Sequence, residues 1–321
     1  EVSAVTTSFY CDNADFVKKG ELLVQLDPTD YQLKFEEAKA SLALAVRQVV
    51  NLQHAVLEAK AAFRSAKADH ERSLVDFENR QGLVDALAIT HEDYQHSELQ
   101  THASKALLSL YRHKVKAALA SLGNTTVDMH PLVENAKAIL KQAYVNVKRT
   151  SVYDPMDGFI AKRNIEVGKW VKPGDVMLAI ISLDDVWVDA NFKETQLENI
   201  RVGQSVNITS DLYGGGVDFK GTVLGLVPGT GSVFSLLPPQ NATGNWIKIV
   251  QRVPVRILLE KKQVKQFPLL LGLSTYVTVD ITDRSGHFLR EVSHGKAVAS
   301  TTIYDIDMSE VNALIDKIIA D

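Results

Sequence analysis

The chain has 321 residues, 45% of them hydrophobic, and a formal net charge of −4, a balance that suits a folded protein of two or more domains. With 35 basic residues against 39 acidic ones it carries no basic field for nucleic acid. Its single cysteine, Cys11, excludes an intramolecular disulfide and a cysteine zinc cluster, and no apolar run nears the roughly 20 residues of a membrane span.

Residues 1–27 read as strands. Phe9-Tyr10-Cys11 meets a turn at Asp12–Asp15, and Val17-Lys18-Lys19-Gly20-Glu21 leads into the apolar run Leu22–Leu26. A helix is then predicted from Asp27-Pro28, with the aspartate as N-cap and the proline at the first helical position, where no amide hydrogen is needed. Its apolar residues recur at alternating spacings of four and three: Tyr31, Phe35, Ala38, Leu42, Ala45, Val49, Leu52, Val56, Ala59, Phe63, Ala66, His70, Ser73 and Phe77. This is a heptad seam whose polar breaks are His70 and Ser73. So narrow a stripe serves one partner helix rather than a globular core. At ~1.5 Å per residue the arm is roughly 75 Å long.

The chain is expected to turn between Gly82 and Ile89 and to restart at Thr90 with Asp93 in a capping-box pattern. Tyr94, Leu99, Ala103, Ala106, Leu107, Leu110, Ala117 and Leu122 are the predicted seam of the returning arm. Gly123–Thr126 interrupts it, and His130-Pro131 restarts it with Ala136, Leu140, Ala143 and Val147. The span 28–150 is therefore an antiparallel hairpin with its tip at about 79–92.

Beyond the hairpin, residues 151–183 repeat the opening. Val171-Lys172-Pro173-Gly174-Asp175 before an apolar strand matches Val17-Lys18-Lys19-Gly20-Glu21. Short alternating strands separated by Gly-rich turns follow over 184–285 and predict a small β-barrel. A Gly/Pro/Ser loop spans 228–245, and its Phe234, Leu236 and Leu237 are candidates for a subunit or transporter contact. Residues 286–321 are read as a membrane-proximal segment ending in a short amphipathic helix with Val311, Leu314, Ile315 and Ile318 on one side.

Signals for chemistry are weak. His91 and His96 lie five apart, about 140° around a helix, and so miss the one-face zinc spacing. The glycines at 225, 229 and 231 lack the Gly-Lys-Ser/Thr of a phosphate loop. No catalytic, cofactor or metal residues are predicted.

Two β halves with Val-x-x-Gly-acid turns resemble the biotinyl and lipoyl carrier fold. The lysine triplet that carriers modify is missing, and the hairpin stands in its place. A split lipoyl-like β-sandwich with an inserted long antiparallel coiled-coil α-hairpin, followed by a small β-barrel, is the elongated, mixed α and β layout of the HlyD-like membrane fusion proteins. Three runs resemble the EmrA branch: Asp189–Gln196, Gly229–Pro238 and Asn241–Val255. The resemblance implies a non-enzymatic periplasmic adaptor of a tripartite multidrug efflux pump. Its partners would be an inner-membrane major-facilitator drug transporter, a TolC-like outer-membrane channel, and further copies in a ring. A membrane anchor is expected in a segment before Glu1. Related adaptors carry an Arg…Leu…Ser signature at the tip, and those positions fall on Asn79, Leu83 and Thr90, with Arg80 beside the substituted site. The implied channel-docking residues are Arg80, Leu83, Leu87 and Thr90. A type I protein-secretion adaptor, a carrier-domain protein and a coiled-coil scaffold are the alternative readings.

Overall fold

The computed structural model describes residues 2–85, 88–123, 125–231, 233, 250–290, 295, 297 and 299–320. Three strands come first: β1 (Ala4–Phe9), β2 (Phe16–Val17) and β3 (Leu22–Leu26). The helices α1 (Thr29–Asp85), α2 (His91–Leu122) and α3 (Pro131–Lys148) follow. The chain then re-enters β structure as β4 (Ser151–Tyr153), β5 (Gly158–Arg163), β6 (Trp170–Val171) and β7 (Leu178–Ile181).

Strands from before and after the helices interleave. One sheet has the order β4-β3-β1-β6 and the other β2-β5-β7, so each mixes both halves of the chain. Leu23, Val24 and Leu26 share their core with Ile160, Ile165 and Val171, across the whole of the intervening helical insertion. The repeated turns are built alike. Gly20 and Gly174 both sit at positive φ, 84° and 97°, where a side chain would be strained. Glu21 accepts from the amide of Lys18 at 3.0 Å, as Asp175 does from that of Lys172 at 2.8 Å.

Asp154 at the seam between the halves is fully buried. Its Oδ1 accepts from the Met156 amide at 3.2 Å, but Oδ2 has no partner among the described residues. Burial first, then repulsion from Asp157 and Glu21, pushes this carboxyl above the ordinary aspartate range. A raised folded-state pKa gives stability that is present at low pH and lost as pH rises through the raised value. The ionised form is thus a cost at neutrality. Asp154→Asn keeps an oxygen for Met156 and removes the charge. It is expected to stabilise the chain by about 1 kcal/mol at pH 7 and to change little at pH 4. Urea unfolding at the two pH values tests this, and an equal effect at both would reject it.

α1 runs 57 residues, about 85 Å at ~1.5 Å per residue. Asp27 Oδ1 accepts from both the amide and the hydroxyl of Thr29, at 3.0 and 2.6 Å, and holds the first turn. Every position of the predicted α1 seam is buried or half-buried. The lower half of α1 packs on α3, where Leu42, Val49, Val133 and Leu140 are fully enclosed. The upper half packs on α2. His130 starts α3 by accepting the Leu132 amide at 3.3 Å, with Pro131 in the first turn. Tyr31 ties the hairpin base to the sandwich, its hydroxyl accepting from the Ser3 amide at 2.9 Å and donating to the Ser3 carbonyl at 3.0 Å.

The remaining strands are β8 (Trp187–Lys193), β9 (Ser205–Ser210), β10 (Phe219–Leu226), β11 (Arg252–Leu259) and β12 (Thr275–Val279), with a short helix α4 (Lys261–Gln266) before β12. They form a nearly closed antiparallel sheet in the order β12-β9-β10-β11-β8 around Phe219, Ile208, Val255 and Ile257. Asp189 on β8 receives both Arg256 Nε and Nη2 at 3.0 and 3.2 Å, which holds its carboxyl below the ordinary range. The loop residues Phe234, Leu236 and Leu237 lie outside the described residues.

The final helix, α5 (Ser309–Ala320), packs on α1 and α3 at the hairpin base. Val311 and Ile315 are buried in the same core as Leu42 and Leu140. Glu310 Oε2 accepts from Tyr144 Oη at 2.8 Å and Lys148 Nζ at 3.2 Å, and these bonds hold its carboxyl below the ordinary range.

Candidate functional site

The end of the hairpin far from the sandwich is the part placed to meet something distant. α1 continues through Gly82 to Asp85, so the helix reaches further than the turn expected at Gly82. The amide of Ala88 then bonds the Leu83 carbonyl at 2.9 Å. Thr90 caps α2, its hydroxyl accepting from the Asp93 amide at 3.1 Å and donating to Asp93 Oδ2 at 2.6 Å. Below this turn, Phe77 stacks on Tyr94 with ring centroids 5.2 Å apart. That contact is the last ring packing along the seam and leaves Leu83 outside it.

Of the predicted docking residues, Leu83 is 44% exposed, Arg80 is half-buried on the line of the seam, and Thr90 is exposed but spent on capping. Leu87 lies outside the described residues. The tip thus offers a leucine and a cation on a rigid helix end. Its described residues hold no paired nucleophile and base.

The returning arm departs from expectation. Its buried or half-buried line is Tyr94, Ser97, Thr101, Ser104, Leu108, Tyr111, Val115, Ala118 and Leu122, spaced by alternating threes and fours. Leu99, Ala103, Ala106, Leu107, Leu110 and Ala117, predicted for the seam, are exposed instead; Leu99 is 70% exposed and Leu110 49%. The cause is on the facing helix. His70 is polar, so α2 answers with the hydroxyl of Ser104, while the Ser73 hydroxyl is satisfied on its own helix by donating to the Asp69 carbonyl at 3.0 Å. Ser104 Oγ lies 2.9 Å from His70 Nδ1 and 2.9 Å from the Thr101 carbonyl, within hydrogen-bond distance of both. Thr101 Oγ1 donates to the Ser73 carbonyl at 3.0 Å. The polar break at His70 was the signal that could have found this line.

Family models place the same two modules on the chain. "EMRA, alpha-helical hairpin domain" matches residues 29–150 and "AAEA-like beta-barrel domain" matches 185–282. The chain is 41% identical to Multidrug export protein EmrA of Escherichia coli (strain K12), over 99% of this chain and 82% of that protein. Against the protein of the same name from Haemophilus influenzae (strain ATCC 51907 / DSM 11121 / KW20 / Rd) the identity is 42% over the same shares. Among solved structures, MacA from Actinobacillus actinomycetemcomitans has a similar fold, with a TM-score of 0.51 at 17% identity over 87% of this chain and 72% of that one.

Proposed function

This chain belongs to the EmrA family of multidrug-export membrane fusion proteins, and from that premise we propose that it is the periplasmic adaptor of a tripartite efflux pump. It joins an inner-membrane major-facilitator drug/proton antiporter to a TolC-like outer-membrane channel and does no covalent chemistry itself. An anchor in the inner membrane holds the sandwich and barrel near the transporter. The observation that carries this reading is α1, a single helix of 57 residues whose seam is spent on the returning arm, α2 above and α3 below. Such a hairpin is a stiff spacer, and about 85 Å of it suits a gap between membranes.

The tip is the channel-facing end, with Leu83 and Arg80 as its contacts. The exposed stripe Leu99, Ala103, Ala106, Leu110 and Ala117 supports side-by-side association of hairpins into a ring, because it repeats at heptad spacing on the face turned away from α1. The test is co-purification of the membrane-anchored form from cells expressing the neighbouring transporter and a TolC-like channel. Recovery of all three, with drug sensitivity on deleting the adaptor, is the expected result. Recovery with a protein-secretion transporter, and unchanged drug susceptibility, would overturn it.

A further inference from the structure

Before α5 the chain crosses the sandwich as a strap, residues 300–308. Thr301 Oγ1 donates to the Pro155 carbonyl at 3.0 Å, and Ile303 lies against the first repeated turn, its Cδ1 3.5 Å from where a Cβ on Gly20 would stand. Between this strap, the end of α3 and the sandwich is a cavity of about 620 Å³. That is the size of a small-molecule site. Its walls are apolar, formed by Val2, Leu26, Val152, Val171, Met177 and Ile303. Lys148, Arg149, Lys172, Asp175, Asp307 and Glu310 supply its charged groups.

These charges are not equivalent. Asp175 is held by the Lys172 amide, and Asp307 takes both the amide and the hydroxyl of Ser309 at 2.8 Å to start α5. Glu310 is engaged by Tyr144 and Lys148. The ammonium of Lys172 is exposed and bonds no carboxylate among the described residues, and Lys148 has three donors, which Glu310 and Tyr144 engage in part. Lys172, with the remaining donor of Lys148, therefore gives the rim cationic donors to spare. We propose that this cavity binds a single-chain amphiphile, its tail on the apolar walls and its anionic head at Lys172 and Lys148. The strap makes one wall, so an occupied cavity joins the hairpin base to the sandwich through the ligand. Binding here stands apart from the pump assignment, and either can fail without the other.

Calorimetric titration of the chain with laurate, below micelle-forming concentrations, tests the site. Saturable one-to-one binding is expected, with dodecyltrimethylammonium at least about tenfold weaker because its head meets cations. Octanoate, shorter by four methylenes, is expected to be weaker by roughly 100-fold or more. Lys172→Glu, at an exposed position, is expected to weaken laurate about fivefold with the helical signal intact. Tyr304→Ala, which removes an exposed lining side chain, is expected to weaken it as well. Lys262→Glu on α4, remote from the cavity, is expected to leave it unchanged. Lauroyl lysophosphatidylglycerol binding more tightly than laurate would also support the site and would make membrane lipid the source. No saturable binding, equal binding of the cationic chain, or a laurate affinity untouched by Lys172→Glu would overturn the proposal.

Discussion

Cells carrying Leu83→Asp are expected to lose drug resistance completely while keeping the adaptor at its normal abundance. Leu83 is 44% exposed on the last turns of α1, above the Phe77–Tyr94 stack. Its bond to Ala88 runs through the backbone carbonyl and does not depend on the side chain. An aspartate at so exposed a position changes the stability of the folded chain by no more than about 0.5 kcal/mol. The cost arises on docking. If the side chain enters a groove between partner helices, an unpaired carboxylate is buried there, and such burial costs about 2–5 kcal/mol. That corresponds to an affinity lower by roughly 30-fold to several thousand-fold. The minimum inhibitory concentration of an exported drug, read beside an immunoblot of the adaptor, measures it. Leu83→Ala, which removes contact area without adding charge, is expected to fall between wild type and the aspartate variant. Ordinary resistance in the aspartate variant would remove the tip from the docking surface.

Leu140→Ala is expected to destabilise the hairpin base by about 3–5 kcal/mol. Leu140 has no exposed surface and shares a core layer with Leu42 on α1 and Ile315 on α5. Three helices meet around it, so the wall cannot close over the space left by the missing methyl groups, and the cavity term adds to the lost burial. Ile315→Ala is expected to cost less, about 2–3 kcal/mol, because α5 is a single terminal helix that can shift over the gap. Urea unfolding followed by the helical circular dichroism signal reads both. A midpoint shift for Leu140→Ala worth under ~1 kcal/mol would mean that α5 does not cover this layer in solution.

Much of the architecture was legible because it rests on repeating local signals. The α1 seam could be listed residue by residue, since a heptad spacing kept over more than forty residues has one geometric solution. The paired turns at Gly20 and Gly174 were equally readable, because a positive φ followed by an acid that bonds back to its own turn leaves a fixed pattern. The α2 seam was not readable from hydrophobicity. Leu99 and Leu110 are more apolar than Ser97 and Ser104, yet the hydroxyls are buried and the leucines are not. What chose between the two stripes was the need of the His70 side chain on another helix for a hydrogen-bond partner.

The amino-acid order by itself determined the hairpin, its caps at Asp27, Thr90 and His130, and the splitting of one sandwich around it. Each of these depends on residues within a few positions of one another or on a motif repeated along the chain. The tertiary structure alone decided where α5 docks, which face of α2 is left open, and that a cavity lies beneath the 300–308 strap. The first and third depend on surfaces more than a hundred residues apart meeting, and the second on contacts 28 and 34 residues apart across the hairpin. An amphipathic helix such as α5 states only that it needs an apolar partner; the packing of Leu42, Leu140 and Val311 together supplies which one.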